Sequence, residues 1–231
     1  MKLRCRSCFF AFLVAALSFS AAAFASMPAI NRFTEGVAAV QGVWYDLDGV
    51  EAFSAEGAFF DGRKILDVTG YGGSAEAANV DFCLEGKDGE TPFYVNITWT
   101  RDRRFLLVDG RYCRSTKEPD YFESARGVFL GMKTEDALVL LGEPTEHTKN
   151  GRLIYPDMTI HTSGGMLVAI VLPNGGAHLD ASGLGAEDAP EDFAAAYNFS
   201  KNWDGQAREI ESSGEYLRKQ EGMIILSLFG R

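Results

Sequence analysis

What most constrains this chain is a succession of short alternating stretches between Gly36 and Thr116, with a turn signal between most of them. Val40–Tyr45, Val50–Phe60, Lys64–Gly70, Asn79–Glu85, Phe93–Trp99, Arg104–Val108 and Arg111–Ser115 are rich in aromatic and β-branched residues. Between them fall Asp48-Gly49, Asp61-Gly62, Gly70-Tyr71-Gly72-Gly73, Lys87-Asp88-Gly89 and Asp109-Gly110. Strands at this spacing, joined by Asp-Gly and Gly-rich turns, predict an antiparallel meander. Open edges template aggregation, so the meander is expected to curl into a small barrel or sandwich. No helix of useful length is expected within it.

After Pro119 the pattern changes. Thr134 is placed to cap a helix, with Glu135 and Asp136 in a first turn that favours acids. Ala137, Leu138, Leu140 and Leu141 supply its apolar side, Gly142 ends it, and Pro144 prevents its resumption. A strand pair is expected over Leu153–Thr162 and Met166–Leu172, turning at Ser163-Gly164-Gly165. Residues 173–189 read as loop. Pro190 suits the first position of a helix running to Tyr197, and Gln206 to Lys219 reads as a further helix. Met223–Phe229 is a largely apolar run suited to a buried strand. The expected fold class is therefore α+β overall: a small antiparallel β-barrel or sandwich, then helices packed on a short antiparallel sheet. The two halves are expected at residues 36–116 and 121–231.

Residues 1–25 read as a cleavable export leader. Lys2, Arg4 and Arg6 precede an apolar run from Phe9 to Phe19, and Ala23-Phe24-Ala25 supplies an A-x-A site that cuts between Ala25 and Ser26. Cys5 and Cys8 lie before the apolar run, so a lipoprotein is not expected. Removing the leader takes away three of 22 cations and none of 32 acids, moving the net charge from −10 to −13. Such a chain repels nucleic acid and anionic lipid, and no later segment is long and apolar enough to span a membrane. An extracytoplasmic location, periplasmic or secreted, follows. The two cysteines left, Cys83 and Cys113, are expected to pair as a surface staple between strands.

The run from Gly127 to Pro144 resembles the BamE/SmpA (OmlA) type of small bacterial envelope domain. That resemblance rests on the Gly131-Met132 start of the helix and the Leu141-Gly142-Glu143-Pro144 exit, followed by strands at Met158–Thr162 and Met166–Leu172. It implies an accessory or scaffold role in which the domain binds a protein or envelope component. In the first half, Gly42-Val43-Trp44-Tyr45 resembles the Gly-x-Trp start of lipocalins. That resemblance implies an indole closing one end of the barrel, stacked under Arg111 or Arg114, and a small apolar ligand as an alternative partner. A smaller lipocalin-like or lysozyme-inhibitor-like barrel fits the length of this half better.

Signs of catalysis are not readable. His147, His161 and His178 show no metal-ligand spacing. No G-x-S-x-G elbow occurs, and Gly72-Gly73 lacks the Lys-Ser/Thr of a phosphate loop. Asp46-Leu47-Asp48-Gly49 opens like a calcium loop, but Gly57 stands where the bidentate Glu belongs. No catalytic residue, cofactor or metal is expected, and an exported hydrolase ranks last. Surface aromatics are the remaining clue. Among Phe59, Phe60, Tyr71, Phe93, Tyr94, Tyr121 and Phe122, most are expected in a core, and any cluster left exposed is a binding site.

Overall fold

The computed structural model describes residues 29–73, 77–87, 90–100 and 104–230. The leader and its Ala25–Ser26 cleavage site lie outside these, as does the side chain of Tyr71.

Eight strands form a closed barrel in chain order: β1 (Gly42–Tyr45), β2 (Glu51–Glu56), β3 (Phe59–Phe60), β4 (Arg63–Gly73), β5 (Ala77–Leu84), β6 (Phe93–Thr100), β7 (Phe105–Val108) and β8 (Arg111–Arg114). All pairs are antiparallel, and the Tyr45–Arg114 pairing of β1 with β8 closes the ring. The Asp-Gly turns do what their residues allow. Asp61 (φ 49°) with Gly62 (φ 72°), and Asp109 (φ 46°) with Gly110 (φ 82°), hold the paired positive dihedrals whose twist matches flanking strands. Gly57 (φ 56°) breaks the expected Val50–Phe60 strand into β2 and β3.

The barrel interior is filled by side chains. Val80, Phe82 and Leu84 alternate inward along β5 and are fully buried. Phe53 lies 4.5 Å from Phe60 between ring centroids, Phe60 5.9 Å from Phe82, and Trp44 6.2 Å from Phe53. A helix that the sequence did not announce, α1 (Ala29–Ala39), adds Phe33, Val37 and Ala39 to this core. Gly36 lets it approach β4 and β5: a Cβ there would lie 3.2 Å from Val68 and 3.4 Å from Phe82.

The second half corrects the expected α+β class. The described residues are mostly β, 41% strand against 13% helix, and the three helices among them are short. A hairpin of β9 (Ser124–Ala125) and β10 (Val128–Phe129) precedes α2 (Thr134–Leu141). A seven-stranded antiparallel sheet then holds β11 (Glu146–His147), β12 (Arg152–Ile154), β13 (Thr159–Ser163), β14 (Met166–Pro173), β15 (Arg208–Glu209), β16 (Tyr216–Gln220) and β17 (Met223–Ser227). Its order is β11-β12-β13-β14-β17-β16-β15, so β17 inserts between β14 and β16. The remaining helix among the described residues is α3 (Pro190–Ala196), which starts at the expected proline.

The error centres on Gln206 to Lys219, which is β15, a turn and β16 rather than a helix. Glu211 (φ 44°), Ser212 (φ 61°) and Gly214 (φ 74°) sit in left-handed conformations that no α-helix tolerates. Glu221 (φ 49°) with Gly222 (φ 75°) then turns β16 back onto β17. Register explains why a sheet wins. Leu153, Ile160, Ile170, Leu226 and Leu217 pair in one row across five strands, and all are fully buried.

The barrel docks on this half through β7 and β8. Phe105 belongs to the core of the sheet half rather than to that of the barrel. It occupies the space at Gly131 (φ 89°), where a Cβ would lie 2.5 Å from its Cζ. The Tyr112 ring meets Gly164 in the same way, and Lys133 pairs with Asp48 at 2.6 Å.

Candidate interaction surface

The densest convergence of ionisable groups lies where the two halves meet. Glu123 and Glu215 are fully buried. Glu215 accepts from the Phe122 N–H (2.8 Å) and the Glu123 N–H (3.1 Å), and pairs with Arg104 at 3.3 Å. Arg104 also donates to the carbonyls of Asp120 and Ser213. Glu123 accepts from the Ser124 N–H (2.9 Å), the Ala181 N–H (2.9 Å) and the Tyr197 hydroxyl (2.6 Å). The Ser182 hydroxyl, 2.8 Å away, completes the Tyr197 contacts.

Burial raises the Glu215 carboxyl above its ordinary value, against the pull of the Phe122 and Glu123 amides and of Arg104. Burial and the Glu123 carboxylate push the Tyr197 phenol up. Such displaced values are typical of active sites. Here, though, backbone amides and internal partners engage the carboxylates, and neither glutamate touches solvent. A general acid or base must reach its substrate, so this cluster is a clamp between halves. Nothing local in a chain with 32 acids distinguishes Glu123 or Glu215, and sequence reasoning missed both.

The residues singled out from sequence scatter. Trp44 is buried, but its ring stacks on Phe53 and its Nε1–H donates to the Val40 carbonyl at 2.8 Å. Arg111 is exposed on β8, while Arg114 is buried and donates to the Lys117 carbonyl at 2.7 Å. No arginine stacks on Trp44 among the described residues. The expected disulfide is also corrected: both thiols are free. Cys113 faces the barrel core and Cys83 the outer side, with β6 and β7 between their strands. Burial pushes the Cys113 thiol up to about 11.

His147 is exposed on β11, His161 lies on β13, and His178 pairs with Glu187 at 2.7 Å. No group of metal-ligating side chains occurs among the described residues. Asp46 Oδ1 accepts from the Asp48 and Val50 N–H groups, both at 2.9 Å, which makes Asp46–Gly49 a hairpin turn.

The residues behind the envelope-domain resemblance do lie together. Gly131 admits Phe105, and the Met132 carbonyl accepts from the Leu167 N–H at 2.9 Å. Leu141 packs against the core, Gly142 (φ 79°) closes α2 through its N–H to the Leu138 carbonyl at 2.9 Å, and Pro144 follows. The expected Thr134 cap is one residue out. Lys133 holds the cap position, and no side chain caps the helix.

α2 also carries the most exposed apolar side chains in the sheet half. Ala137-Leu138-Val139-Leu140-Leu141 is five apolar residues in a row, more than one helix face can bury. Ala137 enters the core, while Val139 stays 86% and Leu140 53% exposed. Leu140 reaches to within 3.2 Å of a Cβ position at Gly127. Phe129 on β10 stacks on Tyr121, with centroids 4.1 Å apart and planes 9° from parallel. Tyr121 is itself 45% exposed and its neighbour Phe122 37%.

The other aromatics fall out differently. Phe60 is core, while Phe59, Phe93 and Tyr94 stay exposed on the barrel, with Arg63 4.8 Å over the Phe93 ring and Tyr94 paired across the strands with Cys83. In the sheet half Tyr121 and Phe122 are the exposed members of the expected aromatics, and α2 adds Val139 and Leu140, which were not among them. The signal for the last two was the unbroken apolar run in α2.

No family model, curated protein or solved structure matches the chain. No helix among the described residues is long and apolar enough to cross a membrane.

Proposed function

We propose that this chain is an exported, non-enzymatic protein of the cell envelope whose second half binds a partner protein through the Val139–Leu140–Phe129–Tyr121 surface. The observation that carries the reading is that surface itself. An acidic chain leaves Val139 and Leu140 of α2 and the rings of Tyr121 and Phe122 exposed, which is unfavourable unless something covers them. The export leader and the resemblance to small envelope domains support the compartment and the binding role. Catalysis is disfavoured because the convergent carboxylates are sealed and hydrogen-bonded. A small apolar ligand in the barrel is disfavoured because Phe53, Phe60 and Phe82 pack against one another across its interior.

The test is a photo-crosslinking amino acid placed in the full chain at Val139, with Lys149 as the exposed control, irradiated in intact cells. A discrete adduct formed from position 139 and absent from position 149 is expected. Equal adducts from both positions, or none from either, would remove the proposal.

A further inference from the structure

Resting on the binding role proposed above, we infer that the partner covering α2 is basic: a protein segment that sets Lys or Arg beside its own apolar side chains. The water-facing stripe of α2 reads Glu135, Asp136, Val139 and Leu140, all exposed. On the opposite side Ala137 is buried, and Leu138 and Leu141 pack against the core. Glu135 precedes Val139, and Asp136 precedes Leu140, by one helical turn. At that spacing side chains are surface neighbours, about 5–6 Å apart at Cβ. Glu143 follows just past the helix end and is exposed as well. A protein interface of ordinary size covers roughly 800 Å² on each partner, enough to take in these carboxylates together with the apolar pair. Covering carboxylates without counter-charges is costly. A partner that buries Val139 and Leu140 therefore has to bring cations.

The chain does not supply those cations itself. From Thr134 to His147 it carries Glu135, Asp136, Glu143 and Glu146 and neither Lys nor Arg. None of these acids forms an ion pair among the described residues. The flanking cations are committed elsewhere, Lys133 to Asp48 at 2.6 Å and Arg126 to Asp157 at 3.0 Å. Helix stability accounts for only part of the pattern. Glu135 and Asp136 suit a first turn, but Glu143 stands at the C-terminal end, where the dipole disfavours an anion and a base would stabilise. An acid at that place gains from a cation brought from outside. The charge also selects among occupants. A second copy of this chain would set the same acids against one another, and anionic lipid would be repelled by them.

The test uses the full chain with the photo-crosslinking residue at Val139, irradiated in lysed cells so that salt can be set. The crosslinked peptide of the partner, read by mass spectrometry, is expected to be rich in Lys or Arg. Adduct yield should fall roughly fivefold or more as sodium chloride rises from about 0.05 to about 0.5 M. Glu143→Lys should cut the yield by a similar factor at low salt. It should do so with the midpoint of thermal unfolding unchanged or raised, because the dipole favours the new charge. An adduct insensitive to either salt or Glu143→Lys would overturn the basic partner while leaving a protein-binding surface at α2. A crosslinked peptide that is acidic, neutral or from a second copy of the chain would do the same. A lipid adduct, or none at any salt, would remove that surface as well. If Glu143→Lys lowers the midpoint, Glu143→Gln takes its place, removing the charge without reversing it, and a weaker adduct is again expected.

Discussion

The barrel and the sheet bury cores of similar character by opposite strategies. In the barrel every strand pairs with its neighbour in sequence, and only the β1–β8 closure is long-range. In the sheet the last strand threads between β14 and β16, so its centre cannot form until the chain is complete. The barrel core is built from its own residues, whereas the sheet half takes Phe105 of the barrel into its core. Local turn chemistry is enough to build the first. The second depends on contacts that sequence neighbours do not encode.

The sharpest way to break this contrast is to cut one core and watch the other. Phe82→Ala in the barrel and Phe193→Ala in the sheet each remove a fully buried ring, at a cost of about 3–5 kcal/mol. Unfolding in urea can be followed at Trp99 in the barrel and Trp203 in the sheet, with the other tryptophans replaced by Phe. Because Phe105 bridges the halves, each substitution is expected to move both transitions together. A Phe82→Ala chain whose Trp203 transition stays in place would show two independent units.

Next is the clamp. Glu215→Ala leaves Arg104 without this carboxylate in a mostly buried site, a loss on the order of 3–5 kcal/mol. It should separate the two tryptophan transitions if the clamp couples the halves. Glu215→Gln, milder, isolates the charge. Since burial raises the Glu215 carboxyl, the folded chain holds its proton more tightly than the unfolded chain. Its stabilising contribution is then complete below the ordinary glutamate value of about 4.3 and is lost as pH rises through the raised value. The stability of wild type minus that of Glu215→Gln should fall with rising pH across this window. A flat or rising difference would contradict the burial argument.

This contrast also explains what could be read from residues alone. The barrel turns at Asp61-Gly62 and Asp109-Gly110 were legible, because two adjacent positive dihedrals demand those residue types. α1 was not, since Ala29–Ala39 lacks an acidic first turn and a basic last turn to mark it. Gln206–Lys219 was misread because its charged residues suit a helix, while the signal against one sat in Ser212-Ser213-Gly214. Cys83 was placed correctly on the outer side of β5, but one residue type cannot reveal that Cys113 faces inward. The buried glutamates are invisible for a deeper reason: their partners lie from 58 to 111 residues away along the chain, apart from adjacent backbone amides.

A third prediction probes the docking of one half on the other at a single point. Gly131→Ala adds a methyl group 2.5 Å from the Phe105 Cζ, at a left-handed φ of 89°. The strained backbone alone costs about 1–3 kcal/mol, and the clash must also push Phe105 out of its seat. Phe105→Leu in the same chain should recover part of the loss by vacating the ring's place. That double-mutant cycle in urea measures the coupling directly. Strict additivity would mean that the two residues do not share the space the structure gives them.

The smallest effect on stability is the one that bears most on function. Val139 is 86% exposed, so Val139→Ser removes little packing and should change unfolding by no more than about 0.5 kcal/mol. Leu140→Ser should cost somewhat more, because Leu140 leans on Gly127. If the α2 surface exists for a partner, these substitutions separate binding from folding. The pair should leave both tryptophan transitions almost unmoved while abolishing the adduct formed by a crosslinker at Tyr121, on the neighbouring part of the surface. A stability gain with no loss of adduct would instead make Val139 and Leu140 surplus apolar surface, and the barrel and sheet would differ in folding strategy alone.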